Sequence, residues 1–336
     1  MAKTTVLTGD ALTKKLWEEQ LYRDTIKEAY FARFMGKSSD SLAQVKEDLT
    51  KSKGDRITYG IRMRLTGTGV VSGQTLENNE EKLQTYSYNV TLERYRNAVR
   101  DAGSLDRQRA VYDMDTESRD ALKDWGVEKV DQLSFDTITA SPTKIFFGGN
   151  ATTYLPGAGD IDATDLIDPL LISKVKTWAL TGGARTQTPL RPIKVGGKNY
   201  FILLVHPDVL YDLSLDAIWS QAARDALPRG TDNPIFSGAE YLWNGVVIHS
   251  HENVPIATNW GAGSNIPGAK CIFMGAQSLL WAWGERPSMV EEEFDYQEEH
   301  GYAWRMTCGV SKPAFNGVDY GSIGVYVART RVSDPA

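Results

Sequence analysis

Near the N-terminus the apolar residues Leu12, Leu16, Tyr22, Ile26, Tyr30 and Phe34 fall mostly four apart. They follow Asp10, a residue able to cap a helix, and no Gly or Pro interrupts Leu12 to Met35. The pattern predicts an amphipathic helix with one apolar stripe. Because a polar break, GKSSDS, follows directly, the stripe is expected to bury against a different body, so that the segment behaves as an arm.

From Ile57 the period changes to two. Ile57, Tyr59, Ile61, Met63 and Leu65 alternate with Thr58, Arg62, Arg64 and Thr66, and a second alternating run holds Tyr86, Tyr88, Val90 and Leu92. Two strands of one hairpin are predicted. The connection TGTGVVSGQTLENNEEKLQ is much longer than the roughly two to five residues that close most hairpins. Such a tip is expected to reach a partner.

Ser104 offers an N-cap, and Val111, Met114, Ala121, Leu122, Trp125 and Leu133 then recur at helical spacing towards Ile138. At about 1.5 Å per residue this predicts a rod of about 50 Å, kinked or interrupted at Gly126. Residues 141–164 are loop-rich, Leu166 to Leu180 form a further helix, and a boundary falls near residue 190 in TPLRPIKVGG. Beyond it the strand candidates NYFILLVHP, WNGVVIHS and AKCIFMG flank the helix candidate DVLYDLSLDAIWSQAARDAL, an α/β or α+β body.

In EEEFDYQEEHGYAWRMTCGV, Val290, Glu292, Phe294 and Tyr296 alternate with Glu291, Glu293 and Asp295. Tyr302, Trp304, Met306, Cys308 and Val310 alternate with Ala303, Arg305 and Thr307. An antiparallel pair is predicted, with a turn near QEEHG, the acids on a solvated or partner-facing side and Cys308 inside.

Composition adds mainly exclusions. The net charge is −6 over 336 residues, which gives no reason to expect specific nucleic-acid recognition, so contact with DNA is expected to be weak and non-specific. Cys271 and Cys308 are the only cysteines, too few for a disulfide framework and in keeping with a reducing compartment. With neither a signal-peptide pattern nor a membrane-length apolar run, a soluble intracellular product without membrane contact is expected.

Candidate chemistry is sparse. His249 and His251 would point the same way on a strand, and with Glu252 or a carboxylate of the 291–299 run they define an alternative function, an intracellular metal-dependent hydrolase. His206 and His300 suggest no site. GTGVVSG, Gly67 to Gly73, lacks the spacing and βαβ context of a dinucleotide loop, and Gly36-Lys37-Ser38 lacks the rest of a phosphate loop. LERYRNAVR brings Arg94, Arg96 and Arg100 together beside Tyr95, a basic cluster better suited to protein acids than to bases. No catalytic residue, metal or cofactor is assigned.

The order of parts, helical arm, long hairpin, long helix, inserted α/β body and terminal strands, resembles the major capsid proteins of tailed bacteriophages with the HK97 fold, in the branch typified by phage N-four. The similar stretches are LTGDALTKKLWEEQLYRDTIKEAYFARFMG, KGDRITYGIRMRLTGTGV, NYFILLVHPDVLYDL, YLWNGVVIHSHENVPI and HGYAWRMTCGVSKPAFNGVDYGSIGV. The resemblance implies an α+β fold with an N-terminal arm at 1–50 and an extended hairpin, the E-loop, at 55–92. It also implies a peripheral domain at 93–190 and 286–336 carrying the long spine helix, and an axial domain at 191–285. It further implies self-assembly as pentamers and hexamers into an icosahedral virion shell around double-stranded DNA, built in the bacterial cytoplasm, with portal, scaffolding and decoration proteins as further partners.

The covalent Lys–Asn link of some such capsids is not carried over, because neither Lys82 nor Asn316 matches its positions. Expected intersubunit contacts are Leu16, Ile26, Tyr30 and Phe34 of the arm, Arg62, Arg64, Arg94 and Arg96 of the hairpin region, and Glu291, Glu293, Asp295, Glu298 and Glu299 as their acidic counterparts. A repeated tail or adhesin architecture does not fit the long helix and α/β insertion.

Overall fold

The computed structural model describes residues 28–47, 54–61, 69–81, 86–101, 103, 108–109, 113–157, 159–185, 187–225, 241–296 and 298–330. The chain enters the described region through a short 3-10 turn, Tyr30–Phe34. Strands β1 (Met35–Gly36) and β2 (Ala43–Lys46) follow, then a hairpin of β3 (Arg56–Ile61) and β4 (Tyr86–Thr91), and β5 (Glu93–Arg100). Helix α1 covers Met114–Thr139, and β6 (Ile145–Phe147) leads to α2 (Pro169–Arg185).

Next come β7 (Ile193–Val195), β8 (Lys198–Val205), α3 (Pro207–Leu215), α4 (Ala217–Asp225), β9 (Tyr241–Trp243), β10 (Val246–Ser250), β11 (Ile256–Trp260) and β12 (Ile266–Met274). The long pair β13 (Leu279–Phe294) and β14 (Glu299–Ser311) is followed by β15 (Ala314–Phe315), β16 (Val318–Asp319) and β17 (Ser322–Ala328). The expected α+β class holds.

Two sheets carry the architecture. An eight-stranded sheet runs β6-β17-β12-β8-β10-β9, with β11 on β12 and β7 on β8. It is covered on both faces, which explains why NYFILLV reads as one apolar run instead of alternating. Phe201, Leu203 and Val205 face Leu171, Val175, Val209 and Leu213 of α2 and α3, whereas Ile202 and Leu204 join Phe31, Phe34, Phe135 and Ile138 on the other side. A five-stranded sheet, β1-β2-β13-β14-β5, packs Trp281, Trp283, Trp304 and Met306 against Leu122 and Val130 of α1.

Strand β14 lies in the five-stranded sheet, whereas β17 pairs antiparallel with β12 in the eight-stranded one, from Gly268↔Ala328 to Met274↔Ser322. Residues 298–330 thus contribute strands to both sheets, and α2 packs on the eight-stranded one. All seven residues of β17 are buried there, and Ile323, Val325 and Val327 share the core that α2 and α3 cover.

Helix α1 differs from expectation. Its cap is Asp113, whose carboxylate accepts from the Asp115 N–H at 3.3 Å and from Thr116 Oγ1 at 2.6 Å, whereas Ser104 lies outside the described residues. Nor does Gly126 interrupt it: the helix is continuous over 26 residues, about 39 Å.

Candidate assembly surfaces

The hairpin β3–β4 forms a two-stranded sheet of its own. Its inward side chains are those the alternation predicted: Ile57, Tyr59 and Val90 pack on Leu280 and Ala282 of β13. Met63 and Leu65 lie outside the described residues. Polar ties fix the base of the hairpin to the body. Tyr59 Oη donates to the Trp281 carbonyl at 2.5 Å, and Gln277 Nε2 donates to Gln44 Oε1 at 2.8 Å and to the Gly60 carbonyl at 3.4 Å. Gln277 Oε1 accepts from Arg191 at 3.1 Å, and Arg191 pairs with Asp40. Sequence reading missed this junction, since a single Gln in a loop carries no pattern.

The tip beyond that rigid base is exposed along residues 71–81, including Val71 and Leu76 at 68% and 60%. Turns closed by Gln74 N–H to Val71 O and Asn79 N–H to Leu76 O, both 3.0 Å, shape it. Among the described residues β5, an edge strand of the five-stranded sheet, pairs only with β14. An edge strand offers backbone donors and acceptors to another strand or a covering segment.

The apolar residues expected to form arm contacts divide. Leu16 and Ile26 lie outside the described residues. Phe34 is buried at 3% exposure in the chain's own core, and half-buried Tyr30 stacks on Phe135 at 6.1 Å and lies 4.2 Å from the His251 ring. Within the chain both side chains make contacts of its own core, because the segment turns inward at residue 30. Asp131 of α1 directs that turn, accepting from the Tyr30 and Phe31 N–H groups at 2.7 and 3.0 Å. Burial raises the Asp131 pKa, and the two N–H bonds oppose that rise.

The histidines are occupied in the same place. His249 is fully buried with Phe34 edge-on at 5.2 Å, and His251 stacks on Phe135 at 4.7 Å. His251 Nδ1 accepts from the Asn253 N–H at 3.1 Å, and burial lowers its pKa. Among the described residues no group of three His, Cys, Asp or Glu is placed to hold a metal ion. The hydrolase alternative finds no support in this arrangement: the imidazoles pack in an aromatic cluster, and the acids of 291–299 lie in another sheet.

Those acids also depart from their expected arrangement. The turn between β13 and β14 lies between Phe294 and Glu299, near QEEHG as expected, with Asp295 and Tyr296 at positive φ (46° and 53°). Glu291 stands opposite Tyr302 and Glu293 opposite His300, so these acids share the helix-facing side that was expected to be apolar. Arg119 of α1 makes this possible by pairing with Glu291 at 2.9 Å and lying 4.9 Å over the Tyr302 ring. Glu299 pairs with Arg100 within the chain, and Arg94 pairs with Glu285 at 3.4 Å. The Glu298 N–H donates to the Asp295 carbonyl at 3.1 Å. Arg96, Glu293 and Asp295 make no ion pair among the described residues, and Arg62 and Arg64 lie outside them.

Similarity to known proteins runs the length of the chain. The profile of a phage capsid protein family matches residues 3–143 and 138–330. A major capsid protein of Pseudomonas phage KPP25 is 29% identical over 361 residues, spanning 94% of this chain and 95% of its own. The capsid of Ralstonia phage GP4 superposes with a TM-score of 0.83 at 27% identity, covering 99% of this chain and 100% of that one. The capsid asymmetric unit of cyanophage Pam1 gives 0.74 at 21% identity, covering 90% and 93%. That last likeness is one of fold.

Proposed function

This chain belongs to the phage capsid protein family and has its HK97-type fold, and from that premise we propose that copies of it assemble as pentamers and hexamers into an icosahedral shell around double-stranded DNA. The observation that carries the reading is the end-to-end match to a capsid chain at a TM-score of 0.83. Its surfaces suit the role. A hairpin fixed at its base and exposed at its tip, together with a basic edge strand, gives one chain two unlike surfaces, as heterologous contacts in a closed shell require.

In this reading the arm is the chain to about residue 50 and the hairpin at 55–92 is the extended loop. Helix α1 with the five-stranded sheet forms the peripheral domain, and the eight-stranded sheet with α2, α3 and α4 forms the axial domain. The role is architectural, with assembly in the host cytoplasm and DNA held without sequence preference, as the net charge of −6 favours. Portal, scaffolding and decoration proteins complete the proposed partners. Negative-stain microscopy of the purified protein tests the proposal: shells, tubes or ring-shaped capsomers are expected, and uniformly small particles at every concentration and salt would overturn it.

A further inference from the structure

The dipeptide Asn-Gly occurs twice in the chain, at Asn244-Gly245 and at Asn316-Gly317. Each pair is the whole connection of an antiparallel hairpin, closed by Trp243↔Val246 in the first and Phe315↔Val318 in the second. All four residues have positive φ, 43° and 74° in the first turn and 51° and 76° in the second. That conformation matches the twist of a tight hairpin and explains the choice of Asn before Gly. The same dipeptide carries a latent reaction, because a residue without a side chain leaves its amide nitrogen open to the preceding carboxamide.

The two turns are held very differently. Lys176 Nζ of α2 donates to Asn244 Oδ1 at 3.0 Å and also to the Asn244 carbonyl. The Phe201 N–H donates to the Gly245 carbonyl at 3.1 Å, and β10 is paired with β8 from Val246 to Ser250. Asn316 and Gly317, by contrast, are both exposed, and a β-carbon on Gly317 would meet nothing within 4 Å. Among the described residues the Asn316 carboxamide makes no hydrogen bond, and β15 and β16 pair only with each other. So small a hairpin is marginal by itself and its turn opens at little cost.

We propose that Asn316 is a site of spontaneous deamidation, and that Lys176 and the surrounding sheet protect Asn244 from the same reaction. The Gly317 nitrogen gives up its proton to solvent and attacks Asn316 Cγ. A new C–N bond closes a succinimide ring, the bond from Cγ to the carboxamide nitrogen breaks, and that nitrogen takes a proton and leaves as ammonia. Water then opens the ring at either carbonyl, to give aspartate or isoaspartate, with no oxidant or reductant needed. Ring closure requires a backbone outside the turn, so its rate follows how often the turn opens. Either product adds a negative charge, and isoaspartate also lengthens the main chain inside the Phe315↔Val318 pair. The disturbance falls at a junction: the Phe315 ring lies edge-on to Tyr86 of β4 at 4.6 Å. Asp319 holds Lys312 at 3.0 Å, and Lys312 in turn donates to the Ala140 carbonyl at the end of α1 at 2.6 Å.

The test incubates the purified full-length subunit at mildly alkaline pH and follows the two Asn-Gly peptides by mass spectrometry after digestion in acid, where ring closure is slow. In urea the two sites are expected to convert at rates within about twofold of each other, whereas in the native chain Asn316 should convert at least about tenfold faster than Asn244. Asn316→Gln should abolish the mass change in its own peptide and leave Asn244 unaffected. Lys176→Met should speed conversion at Asn244 alone, and no gain there would overturn the protective role of the lysine. Equal native rates at the two sites would overturn the proposal, because both turns would then react only through global unfolding. A native Asn316 peptide of constant mass, under conditions that convert it in urea, would overturn it as well.

Discussion

The indole of Trp304 occupies the space that a β-carbon on Gly126 would need: such an atom would lie 2.7 Å from the ring. Gly126 therefore lets α1 come close to the five-stranded sheet at Trp304, and Trp125 stacks edge-on against the same indole at 5.2 Å. A glycine in mid-helix costs about 1 kcal/mol relative to alanine, and here the close approach offsets that cost.

Gly126→Ala is consequently expected to destabilise despite its better helix propensity. Trp304 is fully buried, so overpacking of about 1–3 kcal/mol opposes a propensity gain of about 1 kcal/mol. A lower urea midpoint in Gly126→Ala, partly recovered by adding Trp304→Phe, is the expected result. An unchanged or higher midpoint would show that the helix can shift away from the sheet without loss.

That Gly126 marks a close approach and not an interruption is invisible in the helix's own sequence, because Trp304 lies in another element. Alternation identified β3 and β14 and their inward residues, because each buries one face only. It assigned Glu291 and Glu293 to the wrong side, because Arg119, far away in sequence, makes a charged position tolerable beside Tyr302. The pairing of β17 with β12 was equally hidden, since a strand of mostly apolar residues states that it is buried but not beside what. The basic cluster LERYRNAVR was legible, but not that it forms the strand Glu93–Arg100. That Arg96 would face Arg305 depended on a register set by the whole sheet.

The N-terminal boundary supplies a second prediction. Phe31 and Phe34 are buried in the chain's own core, and loss of one such ring costs about 3–5 kcal/mol. A chain beginning at Glu28 is expected to melt cooperatively while assembling poorly, whereas deletion through Gly36 should abolish the cooperative transition. Equal melting of the two truncations would show that the 3-10 turn adds nothing to the core.

Acidification tests the aromatic cluster. Burial lowers the pKa of both His251 and His206 from the ordinary 6.5, so the unfolded chain takes up protons that the folded chain resists. Stability is present in full above about pH 6.5 and is lost as pH falls towards the depressed folded values. Asp131 acts in the opposite sense at lower pH, because its raised folded pKa lets the native state take up a proton before the unfolded chain does near 3.8. Urea midpoints of the purified subunit should therefore fall between about pH 7.5 and about pH 5.5, and His251→Gln should flatten that slope. A slope unaltered by the substitution would assign the pH dependence elsewhere.

The last prediction concerns Glu291, whose partner is Arg119 of its own chain at 2.9 Å. Both side chains are partly exposed, so the pair itself is worth about 0–1 kcal/mol. Glu291→Arg goes further than removing it, since it sets two guanidinium groups against each other beside the Tyr302 ring. The purified subunit, not just the particle, should lose stability, and the loss should shrink with added salt as the repulsion is screened. Arg119→Glu in the same chain should restore the midpoint by exchanging the two charges. An intersubunit role for Glu291 predicts the reverse pattern: a Glu291→Arg subunit as stable as wild type, with a defect confined to assembly and corrected by reversing an arginine on another surface. Urea midpoints of the two variants measured before any assembly distinguish these outcomes, and recovery through Arg119 alone would fix Glu291 as a clamp between α1 and the β13–β14 hairpin.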